Sequence, residues 1–146
     1  VIARSRAAAG QGSGADYLYT YLRTYYPDET KVTGWNNLAF PNVGMPHVLF
    51  EMQGDQVLEV TKHEGHETKT LKLVKAGSQT RLGADGKADT TEYDKTVADL
   101  VNYLVYMGEP AQNKRQTIGY VVLLFLTLIF LPLAYMLKKE YWKDVH

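Results

Sequence analysis

The chain has 146 residues, with 16 basic and 16 acidic side chains and a formal net charge of zero. That balance leaves no basic surplus of the kind that neutralises phosphates, which excludes nucleic acid as a partner. There is no cysteine, so disulfides, thiolate metal sites and cysteine nucleophiles are excluded within these residues.

Residues 1–14, VIARSRAAAGQGSG, open apolar and pass into a small-residue loop whose only charges are Arg4 and Arg6. Residues 15–26, ADYLYTYLRTYY, carry Leu18, Tyr21, Leu22 and Tyr25 at helical spacing. This predicts a short helix capped by Asp16 and ended by Pro27. A stripe of this kind ordinarily faces a core. The chain has 11 tyrosines, many for its length, and Tyr17, Tyr19, Tyr21, Tyr25 and Tyr26 crowd this one stretch.

Residues 33–46, TGWNNLAFPNVGMP, have the glycines, prolines and asparagines of a loop, with Trp35, Phe40 and Met45 set among them. Ordinary surface loops are not so rich in large apolar groups. Such a loop either folds over the protein's own core or covers something flat and apolar. From residue 47 an extended run is expected to begin. Val57, Leu58 and Val60, then Leu71 and Leu73, sit among polar residues and predict a small β-hairpin with His63-Glu64-Gly65-His66 at its tip. Residues 77–87 read as turns, and Asp85-Gly86 is a hairpin signal. The β excursion therefore occupies about residues 52–88.

Residues 89–108, DTTEYDKTVADLVNYLVYMG, hold the clearest soluble helix. Asp89 and Glu92 match a capping box. Val97, Leu100, Val101, Leu104 and Val105 form the apolar stripe, Gly108 caps the end and Pro110 prevents continuation. Between residues 87 and 113 there are two lysines and five carboxylates. This mild acidic bias either helps to steer a basic acceptor or is simply a solvated face.

Residues 118–137, IGYVVLLFLTLIFLPLAYML, run for 20 positions without a charge. At about 1.5 Å per residue they span roughly 30 Å, the thickness of a bilayer's hydrocarbon core. Unpaired backbone groups are costly in lipid, so such a span must be helical. Lys114 and Arg115 stand before it, and Lys138, Lys139 and Lys143 after it. Tyr120, Tyr135, Tyr141 and Trp142 lie near its ends, where amphipathic rings favour the interface. Pro132 inside it predicts a kink. The positive-inside rule puts the C-terminus in the cytoplasm or the mitochondrial matrix, and the larger part in the periplasm or intermembrane space. Since Val1 is not a natural start and export needs a signal, a mature or truncated piece is expected. The expected organisation is an extracytoplasmic domain portion over residues 1–113, a linker at 114–117, a transmembrane helix at 118–137 and a tail at 138–146.

Few residues carry chemistry. His63 and His66 are three apart on a hairpin tip and lack both helical i, i+4 geometry and a third ligand, so a zinc site is not expected there. Met45 and His47 are a thioether and an imidazole of the kind that bind copper, but two donors make a small set. No nucleophile–base arrangement and no phosphate-binding glycine loop is evident. Met45 stands between Gly44 and Pro46 in a rigid, aromatic-rich loop. That setting suits either a gap-filling side chain or a soft axial ligand to haem iron.

Taken in order, four features resemble the C-terminal part of the cytochrome c1 family, the haem-bearing subunit of the cytochrome bc1 complex (ubiquinol–cytochrome c oxidoreductase). Ala3-Arg4-Ser5-Arg6 followed by Gly14-Ala15-Asp16-Tyr17-Leu18-Tyr19 resembles the family's ARxR…DYxY segment. Trp35-Asn36-Asn37-Leu38-Ala39-Phe40-Pro41 with Gly44-Met45-Pro46 resembles its N-x-x-F-P…M-P loop, whose Met is the sixth iron ligand. Leu104-Val105-Tyr106-Met107-Gly108-Glu109-Pro110 resembles the end of the last helix of a cytochrome-c-type fold, and the single C-terminal span completes the pattern. The resemblance covers the chain apart from the β excursion. It implies Met45 as axial ligand, Arg6 against a haem propionate, Tyr17 near the haem, and Trp35, Phe40 and Pro41 as pocket walls. It also implies haem c held through Cys-x-x-Cys-His. No such motif lies in these residues, so it is expected upstream.

The reading is a mainly α fold: the C-terminal portion of a cytochrome-c-like haem domain, with a small β-hairpin insertion and one C-terminal transmembrane helix. The resemblance implies a one-electron relay from the Rieske iron–sulfur protein to a soluble cytochrome c or an equivalent acceptor. The apolar helix would pack on cytochrome b. The subunit would lie in a bacterial inner membrane, or in the mitochondrial inner membrane facing the intermembrane space. The rival readings are an anchored interaction or assembly module without haem, and another anchored monohaem c-type cytochrome.

Overall fold

The computed structural model describes residues 2–5, 12–63, 66–143 and 145, with only the backbone of residues 4, 5, 63 and 66. The chain divides into two units, Val1–Gly108 and Glu109–His146.

In the first unit, α1 (Ile2–Ser5) precedes α2 (Gly14–Arg23). Two short strands follow, β1 (Tyr25–Pro27) and β2 (Trp35–Asn37), paired antiparallel. The N-cap of α2 is Ser13 rather than Asp16. The Ser13 hydroxyl accepts the Asp16 amide at 3.1 Å and donates to the Asp16 carboxylate at 2.7 Å. Asp16 thus takes the third position after the cap, and its carboxylate bonds the Ser13 hydroxyl rather than the Ser13 amide that a capping box would use. The helix also stops three residues earlier than its periodicity predicts. Tyr26 precedes Pro27, which disfavours helical backbone, and Tyr25 pairs instead with Asn37. A Cβ on Gly14 would run into the Ile2 carbonyl, so glycine is needed where α1 meets α2.

The run expected to be extended from residue 47 begins later. Residues 48–49 form a turn, and α3 (Phe50–Gln53) is one helical turn. The Gln53 side chain is fully buried and donates to the Arg23 carbonyl at 2.8 Å. That anchor holds α3 against the end of α2. Gly54, at φ +82°, then lets the chain turn into β3 (Gly54–His63). β3 pairs antiparallel with β4 (His66–Ala76), with an irregularity between Asp55 and Gln56. The expected hairpin is therefore present; of its tip, Glu64 and Gly65 and the side chains of His63 and His66 lie outside the described residues. Two short strands, β5 (Arg81–Leu82) and β6 (Ala88–Asp89), bracket the Asp85-Gly86 turn.

α4 (Thr91–Gly108) follows. Its core face is Tyr93, Val97 and Val101, which pack with Leu22 of α2. The Tyr93 hydroxyl donates to the Leu22 carbonyl at 2.8 Å. Arg23 and Asp94 form a two-bond pair at 2.7 and 3.1 Å. At the helix start, the Asp89 carboxylate accepts the Thr91 amide two residues on, at 3.1 Å. Leu104, expected in the core stripe, is 39% exposed.

The second unit is α5 (Gln112–Trp142), 31 residues long. It is longer than the uncharged stretch, because residues 114–117 are helical rather than a linker. Glu109 and Arg115 form a two-bond pair near its start. Pro132 lies inside one continuous helix. Among the described residues α5 is the one helix long and apolar enough to cross a membrane.

Candidate functional site

An apolar cavity of about 430 Å³ opens in the first unit. Tyr17, Leu18 and Tyr21 of α2 form one wall, because the helical spacing noted in the sequence sets them on adjoining turns. Leu100 and Leu104 of α4 form another, which explains why Leu104 is not sealed in the core. Ile2 closes one end. The loop after β2 supplies Phe40, Met45 and Val48, which stand 52%, 45% and 69% exposed around the opening. Half-exposed large apolar side chains ringing one cavity mark a surface built to be covered.

The loop has no regular secondary structure, so its shape depends on side-chain hydrogen bonds. Two buried asparagines of β2 provide them. The Asn37 side-chain oxygen accepts the Ala39 amide at 2.8 Å, the Phe40 amide at 3.1 Å and the Thr24 hydroxyl at 3.0 Å. Its amide group donates to the Tyr21 carbonyl at 2.7 Å. The Asn36 side-chain oxygen accepts the Asn37 and Asn42 amides at 2.9 and 3.0 Å, and its amide group donates to Asp28 at 3.1 Å. Asn42 has φ 61°, a backbone region that asparagine tolerates better than most residues. Through these bonds the loop is tied to α2, which carries the opposite wall.

Beneath Met45 lies an aromatic stack. The buried His47 ring lies parallel to the Tyr25 ring at 4.6 Å, and Trp35 meets it edge-on at 5.1 Å. The Tyr25 hydroxyl is 3.2 Å from the Met45 carbonyl and 2.9 Å from the Tyr21 hydroxyl. Burial pushes the Tyr25 phenol well above its ordinary value, with the Tyr21 hydroxyl adding to the rise, so it stays protonated. Desolvation lowers His47 to about pKa 4, and it is neutral at physiological pH. It is packed away, so it does not join Met45 as a metal donor.

The structure thus brings together three of the six residues singled out from the sequence, Tyr17, Phe40 and Met45, on one cavity. Trp35 does not line it. Its ring is taken up by His47 and by Phe50 at 6.0 Å. Pro41 is exposed and is also absent from the lining. The walls expected from these two come instead from α2 and α4. Arg6 lies outside the described residues. Tyr21, Leu100 and Leu104 were legible as helix-stripe residues, but nothing in their spacing separates a cavity wall from a core. Tyr25 reaches Met45, and Asn37 reaches Tyr21 and Thr24, across 13 to 20 residues, whereas the Asn36 side chain acts through partners no more than eight residues away.

The donor set limits what the cavity can hold. Among the described residues no three His, Asp or Glu side chains group to hold a metal ion. Met45 brings a thioether, a soft group of the kind that can donate to a metal, to a lining that is otherwise almost wholly apolar. A large flat apolar group with a soft-ligand iron fits both observations. A second hollow, about 480 Å³ near β5, β6 and the start of α4, is polar and lined by Arg81, Asp89, Glu92 and Lys95, charges of both signs without an apolar wall.

Comparison with known proteins bears on the same residues. Residues 1–145 match the model of the Cytochrome C1 family. The chain is 50% identical over its whole length to a Nitrosomonas europaea protein named ammonia monooxygenase gamma subunit, covering 53% of that protein. It is 50% identical to the cytochrome c1 of Allochromatium vinosum over 90% of its own length and 51% of that protein. A cytochrome b/c1 of Bradyrhizobium diazoefficiens is 35% identical over 82 residues, which is 56% of this chain and 11% of that protein. The chain therefore spans about half the length of the first two relatives. With a family match running from end to end, this chain belongs to the cytochrome c1 family.

Proposed function

We propose that this chain is the C-terminal part of a membrane-anchored, haem-bearing electron-transfer subunit of a bc1-type complex. It would pass one electron from a Rieske iron–sulfur protein to a soluble cytochrome c or an equivalent acceptor. The observation that carries this reading is the Met45 thioether at the opening of an apolar cavity. Bound haem supplies a one-electron iron couple, whose potential a methionine ligand raises. The Met45 sulfur would hold the haem iron through a lone pair. Phe40, Val48, Leu100 and Leu104 exclude water, and Tyr17 lies along the cavity wall. Arg6 is proposed, by family resemblance, to meet a propionate through its planar guanidinium. Trp35 and Pro41 act behind and outside the wall, Trp35 by packing on His47. Covalent attachment through Cys-x-x-Cys-His belongs to sequence outside these residues. α5 is proposed to span the membrane beside cytochrome b, with the first unit on the periplasmic or intermembrane-space side and the tail inside.

The test is a reduced-minus-oxidised optical spectrum of the native membrane complex, with haem staining of this subunit's denatured band. Covalent stain and a c-type spectrum support the reading, and Met45→Ala should then lower the potential. A stained band whose spectrum and potential ignore Met45→Ala leaves Met45 a packing residue. No covalent haem would turn the reading to an anchored module. The likeness, over this whole chain and 53% of the relative, to a protein named as an ammonia monooxygenase subunit favours a second reading, membership of that kind of assembly. Co-purification with cytochrome b rather than with an ammonia-oxidising activity separates the two.

A further inference from the structure

We infer that Tyr25 is a positioning residue for Met45, setting where its thioether stands through a bond to its own backbone. This inference rests on the reading of Met45 as axial ligand. A methionine side chain has three flexible torsions, so ligation at a defined site depends on where its Cα is held. Neither neighbour gives Met45 a regular ladder to sit in, because residues 43–47 form no helix or strand. The bond that reaches its backbone comes from Tyr25. Each phenol has one proton. A carbonyl can only accept, so with the Tyr25 proton on the Met45 carbonyl at 3.2 Å the 2.9 Å contact between the two hydroxyls must be donated by Tyr21, which then polarises the Tyr25 donor.

Tyr25 is itself immobile. The residue is 1% exposed, with its ring stacked flat on His47 at 4.6 Å and edge-on to Tyr21 at 5.4 Å. Its backbone is locked in β1 opposite Asn37, the residue whose side chain ties down Ala39 and Phe40. Two residues paired across one small sheet therefore hold the two ends of the loop. Asn37 fixes its start and Tyr25 its methionine.

The test compares Tyr25→Phe, Tyr21→Phe and Met45→Ala with wild type in the intact, haem-loaded membrane complex. Tyr25→Phe keeps the ring and its stack and removes only the hydroxyl. Two readouts are taken: the thioether-to-ferric-iron charge-transfer band and the affinity of ferric haem for added imidazole, which competes for the axial position. A lost bond of ordinary strength should tighten imidazole binding about fivefold in Tyr25→Phe, weaken the charge-transfer band and lower the reduction potential. Tyr21→Phe should do the same to a smaller degree. Met45→Ala should abolish the band altogether. If Met45→Ala changes the band and Tyr25→Phe leaves all three readouts at wild-type values, the positioning role is wrong and Met45 still stands. If Met45→Ala changes nothing, the ligand reading fails. Should Tyr25→Phe fail to assemble, Tyr21→Phe decides: wild-type imidazole affinity there overturns the proposal.

Discussion

The side-chain oxygen of Asn37 accepts the backbone amide of Phe40 at 3.1 Å, while Asn37 itself is fully buried. One amide side chain thereby joins the start of the Met45 loop to α2, through Ala39 and Phe40 on one side and the Tyr21 carbonyl on the other. A buried amide with all its bonds made rigidifies its surroundings; with a partner removed, it leaves orphaned polar groups.

Replacement of Asn37 with alanine would strand the Ala39 and Phe40 amides and the Tyr21 carbonyl. A loss of roughly 2–4 kcal/mol is expected, read as a lowered urea midpoint with an unchanged slope. If Met45 ligates haem iron, the thioether-to-iron charge-transfer band should be lost at a correspondingly lower urea concentration. A variant as stable as wild type would mean that water replaces all four bonds.

The Arg23–Asp94 pair ties the end of α2 to the start of α4. Its side chains are 36% and 24% exposed, so solvent screens it in part. Arg23→Ala should cost about 1 kcal/mol, part of it from lost packing of the guanidinium over the Tyr19 ring at 4.6 Å. A double-mutant cycle with Asp94→Ala, run at low and high salt, separates the two contributions. Only the ion-pair part should shrink with salt.

Burial raises the Tyr93 phenol above its ordinary value of 10.0, overriding the opposing pull of Arg23. The unfolded chain then loses its tyrosine proton before the folded chain does. Stability contributed by the neutral phenol is therefore complete below pH 10 and lost as pH rises through the folded value. Tyr93→Phe should be less stable near neutral pH, where the bond to Leu22 is lost, and should show a shallower decline above pH 10. Thermal unfolding of both proteins from pH 8 to 11 checks this; parallel declines would exclude Tyr93 as the group responsible.

If α5 crosses the membrane, a charge at its middle is costly. Leu128→Arg should weaken insertion by about 2.5–3.5 kcal/mol, releasing part of the protein on alkaline extraction of membranes. The same change at Lys139, as Lys139→Arg, should release none. Equal retention of both variants would count against a spanning role.

The apolar span within α5, the stripe of α4 and the β3–β4 hairpin were legible from residue order because each depends on a local pattern: uncharged length, 3.6-residue spacing and strand-like spacing of apolar residues. Family membership was legible for a similar reason, since motif residues keep their order whatever the packing. Errors fell at element ends and in the loop. Asp16 and Ser13 both make good caps, and the choice depends on where Gly14 can pass α1. His47 reads as part of a strand until Tyr25 claims its ring. Trp35 reads as a cavity wall until His47 and Phe50 occupy it. Leu104 has the spacing of a core residue, and its place at the opening follows from where α2 and the loop stop. Local order along the chain thus set the elements and placed the Met45 thioether in an aromatic-rich loop. The cavity, its walls and the hold on Met45 arise from contacts between residues far apart in sequence, such as Tyr25 with Met45, and no local period encodes such distances.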